Sequence, residues 1–314
     1  MVKRILSIGE CLVELSQAGG GLLRKGFAGD TFNTAYYLRA LLPAACTVDY
    51  FTALGTDPVS DEMIAFMRGA GIGTGLIRRV PHRRPGLYMI QLDRQGERSF
   101  TYWRSDSAAR LLADDVPALR AAIEAADLVY FSGITLAILA PAAAAALLAE
   151  LGRARQAGRL VTFDPNIRPL LWPDADAMRR TLAAGARVAT VAMPGFEDEA
   201  THFGDASVAA TIERYRALGA ENLVVKNGAD GITLDFGGER SFVAAVPAPE
   251  VVDTTGAGDS FNGAFLAAWT QGAAPRRAAE LAAAVAAKVV GQHGALAETG
   301  LSAQSVGQAI AQGR

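Results

Sequence analysis

A carboxylate just behind a glycine-rich helix start can take a proton beside a bound anion. The run Asp253-Thr254-Thr255-Gly256-Ala257-Gly258-Asp259-Ser260-Phe261-Asn262-Gly263 has this form, and an apolar, helix-compatible stretch follows Phe261. Helix starts leave backbone N–H groups unpaired and carry the positive dipole end, so they stabilise anions. Gly256, Ala257 and Gly258 would then present N–H donors to a transferring phosphoryl group, with Asp259 as general base toward an incoming hydroxyl. The plainer alternative makes Asp253 or Thr254 an N-cap and Asp259 a first-turn acid favoured by the dipole.

Other residues suit ligand selection. Arg104 and Arg168 could each grip a carboxylate through two parallel hydrogen bonds, or could be surface ion pairs. Tyr88 and Tyr102 offer hydroxyl and ring surface, or ordinary sheet packing. Gly29, Asp30 and Asn33 make a turn and a cap, but an aspartate and an asparagine on one helical turn also suit adjacent sugar hydroxyls.

The elements that must position these groups alternate. Strand-like runs at 5–8, 47–53, 128–131, 160–163, 188–191 and 222–226 are separated by helical stretches at 31–42, 59–69, 136–157 and 208–218, with further helices at 258–269 and 275–290. This α/β alternation implies a mostly parallel sheet flanked by helices. The rhythm breaks at 86–104, where residues 87–92 and 98–103 flank the turn-like Asp93-Arg94-Gln95-Gly96, a β-hairpin pattern. Period-2 alternation puts Tyr102 and Arg104 on one face of its second strand.

Residues 253–265 resemble the C-terminal signature of the ribokinase-like (pfkB) carbohydrate kinases, and Phe27-Ala28-Gly29-Asp30-Thr31-Phe32-Asn33-Thr34-Ala35 resembles the N-terminal one. Within that family the chain is most similar to the 2-keto-3-deoxygluconate kinases. That likeness runs through Ile8-Gly9-Glu10-Cys11-Leu12-Val13-Glu14-Leu15, Thr52-Ala53-Leu54-Gly55-Thr56-Asp57, Arg84-Pro85-Gly86-Leu87-Tyr88, Gly96-Glu97-Arg98-Ser99-Phe100-Thr101-Tyr102-Trp103-Arg104, Phe131-Ser132-Gly133-Ile134-Thr135 and Phe163-Asp164-Pro165-Asn166-Ile167-Arg168-Pro169.

The resemblance implies one ribokinase-like domain over 1–314 with a small β-sheet lid from about 11–28 and 84–105. It implies ATP and Mg²⁺ as cofactors, a sugar-acid substrate phosphorylated at its 6-hydroxyl, arginines 104 and 168 facing the substrate carboxylate, and Gly29, Asp30 and Asn33 holding sugar hydroxyls. Lys226 and Gly228 would run along the nucleotide, or Asn227-Gly228 would be only a hairpin turn. Where many relatives carry Asn-x-x-Glu near the metal, this chain has Phe196 in place of the asparagine and keeps Glu199, which the resemblance makes a metal residue acting through water. It leaves open a monovalent cation such as K⁺ near Asp253, a neutral-sugar fructokinase or ribokinase activity, and a non-catalytic sugar-acid sensor. A homo-oligomer through the lid is expected, because exposed sheet edges need covering.

Composition narrows the rest. With 314 residues, 51% of them hydrophobic, the chain can bury a large core, and no apolar run reaches the ~18 residues of a membrane span. Lys3 and Arg4 lead straight into a strand-like run with no secretory pattern, so a cytoplasmic location is expected. Cys11 and Cys46 are too few for a disulfide framework, and His82, His202 and His293 are mutually isolated. A net charge of −2 excludes a general pull on nucleic acid.

Overall fold

The computed structural model describes residues 2–92 and 98–312. Among these, the strands form an eight-stranded, a four-stranded and a two-stranded sheet. The large sheet runs, in spatial order, β14 (Glu239–Val243), β13 (Ile232–Phe236), β12 (Asn222–Lys226), β11 (Val191–Ala192), β10 (Leu160–Asp164), β9 (Leu128–Ser132), β1 (Arg4–Ile8) and β4 (Thr47–Phe51). The pairs from β4 to β12 are parallel, and β13 and β14 add an antiparallel edge.

Strand β9, Leu-Val-Tyr-Phe-Ser, is buried throughout, as a central parallel strand covered on both faces must be. Its alternate residues serve two cores. Leu128 and Tyr130 join the cluster of α1 (Asp30–Leu41), α9 (Ala257–Thr270) and α10 (Pro275–Val290). Val129 and Phe131 join that of α3 (Val116–Ala125), α5 (Pro141–Gln156) and α6 (Ala175–Val188). The sheet is therefore sandwiched between helices.

One helix crossing bears on the site. A Cβ added at Gly263 of α9 would meet the Thr34 carbonyl and the Tyr37 Cβ of α1 at 2.8 Å each. Glycine there lets α1 and α9 approach backbone to backbone, which brings Asn33 against Asp259.

The small sheet has the order β3 (Leu22–Ala28), β2 (Leu12–Gly19), β7 (Leu87–Leu92) and β8 (Arg98–Trp103). Strands β7 and β8 are the expected antiparallel hairpin, with Tyr88 opposite Tyr102 and Leu87 opposite Trp103. The expected turn at 93–96 lies outside the described residues.

Some expected elements differ. The single helix expected over 136–157 is two, α4 (Gly133–Ile138) and α5. Pro141 is the cause: the residue before a proline avoids the helical region, and Ala140 is extended at φ −61°, ψ 149°. The strand expected at 188–191 is displaced, because α6 runs through Val188, capped by Asp174 and burying Met178, Leu182, Gly185 and Ala186 on one face. The run 47–53 splits into β4 and the short β5 (Ala53–Leu54), which pairs with β6 (Arg78–Arg79). Among the described residues no helix is long and apolar enough to cross a membrane.

Candidate active site

Parallel α/β sheets place ligands beyond the carboxyl ends of their strands. Here a cavity of about 1290 Å³ lies there, lined by Asp164, Asn166 and Arg168 after β10, Lys226 to Asp230 after β12, and Gly256, Gly258 and Asp259 at the start of α9. Gly29, Asp30 and Asn33 complete it from the start of α1, and Tyr88, Phe100, Tyr102 and Arg104 from the small sheet. The volume exceeds the ~300–1,000 Å³ usual for one small ligand, so two can sit together.

Asp259 is half-buried in the first turn of α9, and its Oδ2 accepts from Asn33 Nδ2 at 2.8 Å. Burial pushes its pKa up to about 7, with the negative charge of Asp30 adding to the rise and the Asn33 hydrogen bond opposing it. Such a carboxylate is poised to take a proton near neutral pH. The sign for activity follows: a base must be ionised, so kcat/KM should climb with pH and level off above about 7. An acid limb centred below pH 5 would remove Asp259 from that role.

The glycine turn is held from behind. Asp253 is buried, and its Oδ1 accepts from the Thr255 N–H at 2.8 Å and its Oδ2 from the Gly294 N–H at 2.7 Å. Gly256, the N-cap of α9, has φ 77°, and a Cβ there would lie 2.7 Å from the Ala295 carbonyl oxygen. That oxygen is fixed in turn by the Tyr37 hydroxyl at 2.8 Å. Gly256→Ala should therefore cost about 1–3 kcal/mol from the left-handed backbone alone, plus the clash. A melting-temperature drop with a parallel loss of turnover checks this. Gly256 and Gly258 line the cavity, whereas the Ala257 N–H closes a turn on the Thr254 carbonyl at 3.2 Å and Ala257 is not part of the lining. Of the three donors expected from sequence, Ala257 thus shapes the turn.

Beneath the turn lies a polar network that the motifs do not spell out. Lys226 Nζ is 2.8 Å from Asp164 Oδ2 and 3.1 Å from Asn262 Oδ1. Asn262 Nδ2 donates to Asp164 at 2.6 Å and to the Tyr130 hydroxyl oxygen at 3.1 Å. Asn166, at φ 34°, donates from Nδ2 to Asp30 Oδ2 at 3.0 Å. The chain therefore links β10, β12, α1 and α9 through side chains. Asn262 and Asp164 were available as signals: one stands three residues after Asp259 and the other ends β10.

Gly228 lines the cavity and lies in the connection between antiparallel β12 and β13. Arg168 lines the cavity and donates to the Ile167 carbonyl at 2.8 Å, and its charge partly offsets the burial that raises the Asp198 pKa. Tyr102 is 48% exposed with Arg104 stacked 5.8 Å from its ring. The Tyr88 hydroxyl donates to Glu14, so Tyr88 meets the cavity with its ring. Arg104 donates from Nη2 to the buried Glu10.

Glu199 departs from expectation. It is fully buried outside the lining, with Oε1 accepting from Tyr215 at 2.8 Å and Oε2 from Arg214 at 2.6 Å. Burial raises its pKa to about 7 against the pull of Arg214. With both oxygens engaged it anchors α7 (Phe196–Phe203) to α8 (Val208–Ala217), and the acids of α7 that reach the cavity are Glu197 and Asp198. Among the described residues no group of three or more His, Cys, Asp or Glu could hold a metal by itself.

The family model described as pfkB family carbohydrate kinase matches residues 2–299. A 2-dehydro-3-deoxygluconokinase of Dickeya dadantii is 40% identical over 300 residues, covering 94% of this chain and 96% of the relative. The crystal structure of a PfkB protein from Polaromonas sp. JS666 superposes with a TM-score of 0.84 at 27% identity, covering 98% of this chain and all of the other. A putative ribokinase II from E. coli, in complex with ATP and Mg²⁺, shares the fold with a TM-score of 0.84 at 22% identity, covering 99% of this chain and 100% of that one. With signatures, cavity and family match in agreement, the chain belongs to the pfkB family of carbohydrate kinases.

Proposed function

We propose that this chain is an ATP-dependent 2-keto-3-deoxygluconate kinase that forms the 6-phosphate. The observation that carries the reading is one cavity lined by both a carboxylate poised near pH 7 at a glycine-opened helix start and two arginines, Arg104 and Arg168. The relative at 40% identity, named for that activity, supports it.

In the proposed step Asp259 takes the proton of the 6-hydroxyl, the hydroxyl oxygen bonds to the γ-phosphorus, and the bond to the β-phosphate oxygen breaks to release ADP. The first-turn N–H groups of α9, with Gly256 and Gly258 allowing close approach, stabilise charge on the transferring group. Lys226 and Gly228 line the nucleotide side. Arg104 and Arg168 hold the far carboxylate so that the hydroxyl is in line. Asp30 and Asn33 orient sugar hydroxyls.

Mg²⁺ would arrive with ATP and offset phosphate charge; it usually keeps waters and needs only one or two carboxylates beside the phosphates, which Glu197 and Asp198 can supply. Both Asp253 oxygens accept backbone N–H groups, which ties that carboxylate to the glycine turn beside which a monovalent cation such as K⁺ would sit. The lid carries exposed Leu22 (69%) and Trp103 (55%), which supports pairing of two lids in a homo-oligomer. A cytoplasmic location suits an ATP-consuming kinase.

A neutral-sugar reading gains from one observation: Arg104 is already neutralised by Glu10. The test is ATP consumption with Mg²⁺, comparing 2-keto-3-deoxygluconate with fructose and ribose at equal concentration. Strong preference for the acid is expected; preference for a neutral sugar would overturn the substrate assignment and leave the kinase chemistry intact.

A further inference from the structure

Arg104 rises from the end of lid strand β8, whereas Glu10 sits just past the end of β1, whose next residue, Gly9, donates its N–H to the Phe51 carbonyl of β4. The ion pair between them therefore ties the lid to the central sheet. It is well buried, with side chains 10% and 1% exposed. It is also incomplete: Glu10 Oε1 and Arg104 Nε are both buried without a hydrogen-bond partner, and the bond between them runs through Nη2. A fully paired bidentate fork would use two donors on one carboxylate.

We propose that Glu10 is the positioning residue for Arg104, holding the guanidinium by one corner so that its outer end meets the cavity and selects a substrate carboxylate. This rests on the reading of Arg104 as a carboxylate ligand. Two physical arguments support it. A buried arginine without a counter-charge would be costly, and its long side chain would turn toward solvent in the empty site. Because the pair is neutral as a whole, selection for an acid depends on the direction of the donors rather than on net charge, and direction is what Glu10 fixes.

The test uses the full chain and steady-state kinetics with 2-keto-3-deoxygluconate and with 3-deoxyfructose, which lacks the carboxylate. Glu10→Gln should raise KM for the acid about tenfold, the loss expected when a charged hydrogen bond goes, with kcat, KM for ATP and kcat/KM for 3-deoxyfructose little changed. In an Arg104→Ala background the same change should add nothing. Glu10→Asp, which keeps the charge but shortens the reach, should show the same acid-selective loss and serves if Glu10→Gln folds poorly.

Unchanged or lower KM for the acid in both Glu10 variants would overturn the inference. So would equal losses on acid and 3-deoxyfructose, which mark a merely structural role, or additive effects with Arg104→Ala. If instead Arg104→Ala alone leaves KM for the acid as in the unmodified protein, the carboxylate reading of Arg104 has failed first and the inference falls with it.

Discussion

Asp259→Asn is expected to bind both sugar acid and ATP yet lose about 10²–10⁴ of kcat, the range attributed to a positioned general base. The asparagine is nearly isosteric, and one of its amide atoms can still meet Asn33 Nδ2, which donates to Asp259 Oδ2 at 2.8 Å. What it loses is the ability to accept the hydroxyl proton. Calorimetric titration of both ligands, run beside the turnover assay, separates binding from chemistry. Turnover within about tenfold of normal would mean that another group takes the proton, or that proton removal contributes little to a loose phosphoryl-transfer transition state.

Lys226→Met carries the second large effect, this time on stability as well as catalysis. Asp164 is 4% exposed, and Lys226 is the cation bonded to it, at 2.8 Å. Breaking a buried pair by removing one partner costs about 3–5 kcal/mol because the other charge is stranded. Lys226 retains some solvent contact, and Asn262 still donates to Asp164, so the lower end applies. For a chain of this length about 3 kcal/mol corresponds to roughly a 5 °C fall in melting temperature. Adding Asp164→Asn removes the stranded charge, so the double variant should regain most of the melting temperature but not the turnover. A single variant that melts like the unmodified protein would show that solvent, not Lys226, neutralises Asp164.

Sequence reading reached far along the parts of the fold with strong local signals. The β7–β8 hairpin and α10 have the expected limits, because alternation in one and an uninterrupted alanine-rich periodicity after Pro275 in the other are properties of the segment itself. The break between α4 and α5 is written in Pro141, since a proline in a helical run marks a boundary. The shift of the 188–191 strand was harder to see: β-branched Val188 and Val191 suggested a strand, but amphipathic burial along α6 carried the helix through Val188.

At the site, the glycine turn and Asp259 were legible because a motif compresses their geometry into adjacent residues. Glu10, Asp164 and Asn262 were not assigned roles, because each acts on a partner at least 36 residues away in the chain, as in the Lys226 to Asn262 contact. Glu199 shows the converse: a matching position in a motif does not fix where the side chain points, and Arg214 with Tyr215 claimed both of its oxygens.

The Asn33 amide is shared: its Oδ1 accepts from the Gly29 N–H at 3.2 Å while its Nδ2 holds Asp259. One side chain thus belongs to the cavity-lining turn of α1, where we propose that sugar hydroxyls bind, and to the carboxylate whose pKa lies at about 7. Occupancy of the sugar site and proton affinity at Asp259 are then thermodynamically linked, so each must shift the other by the same free energy. A sugar hydroxyl that competes for Asn33 weakens the bond that favours the ionised carboxylate, and the apparent pKa in kcat should lie above that in kcat/KM. The enzyme's acid limb becomes a gauge of how tightly its sugar is clasped.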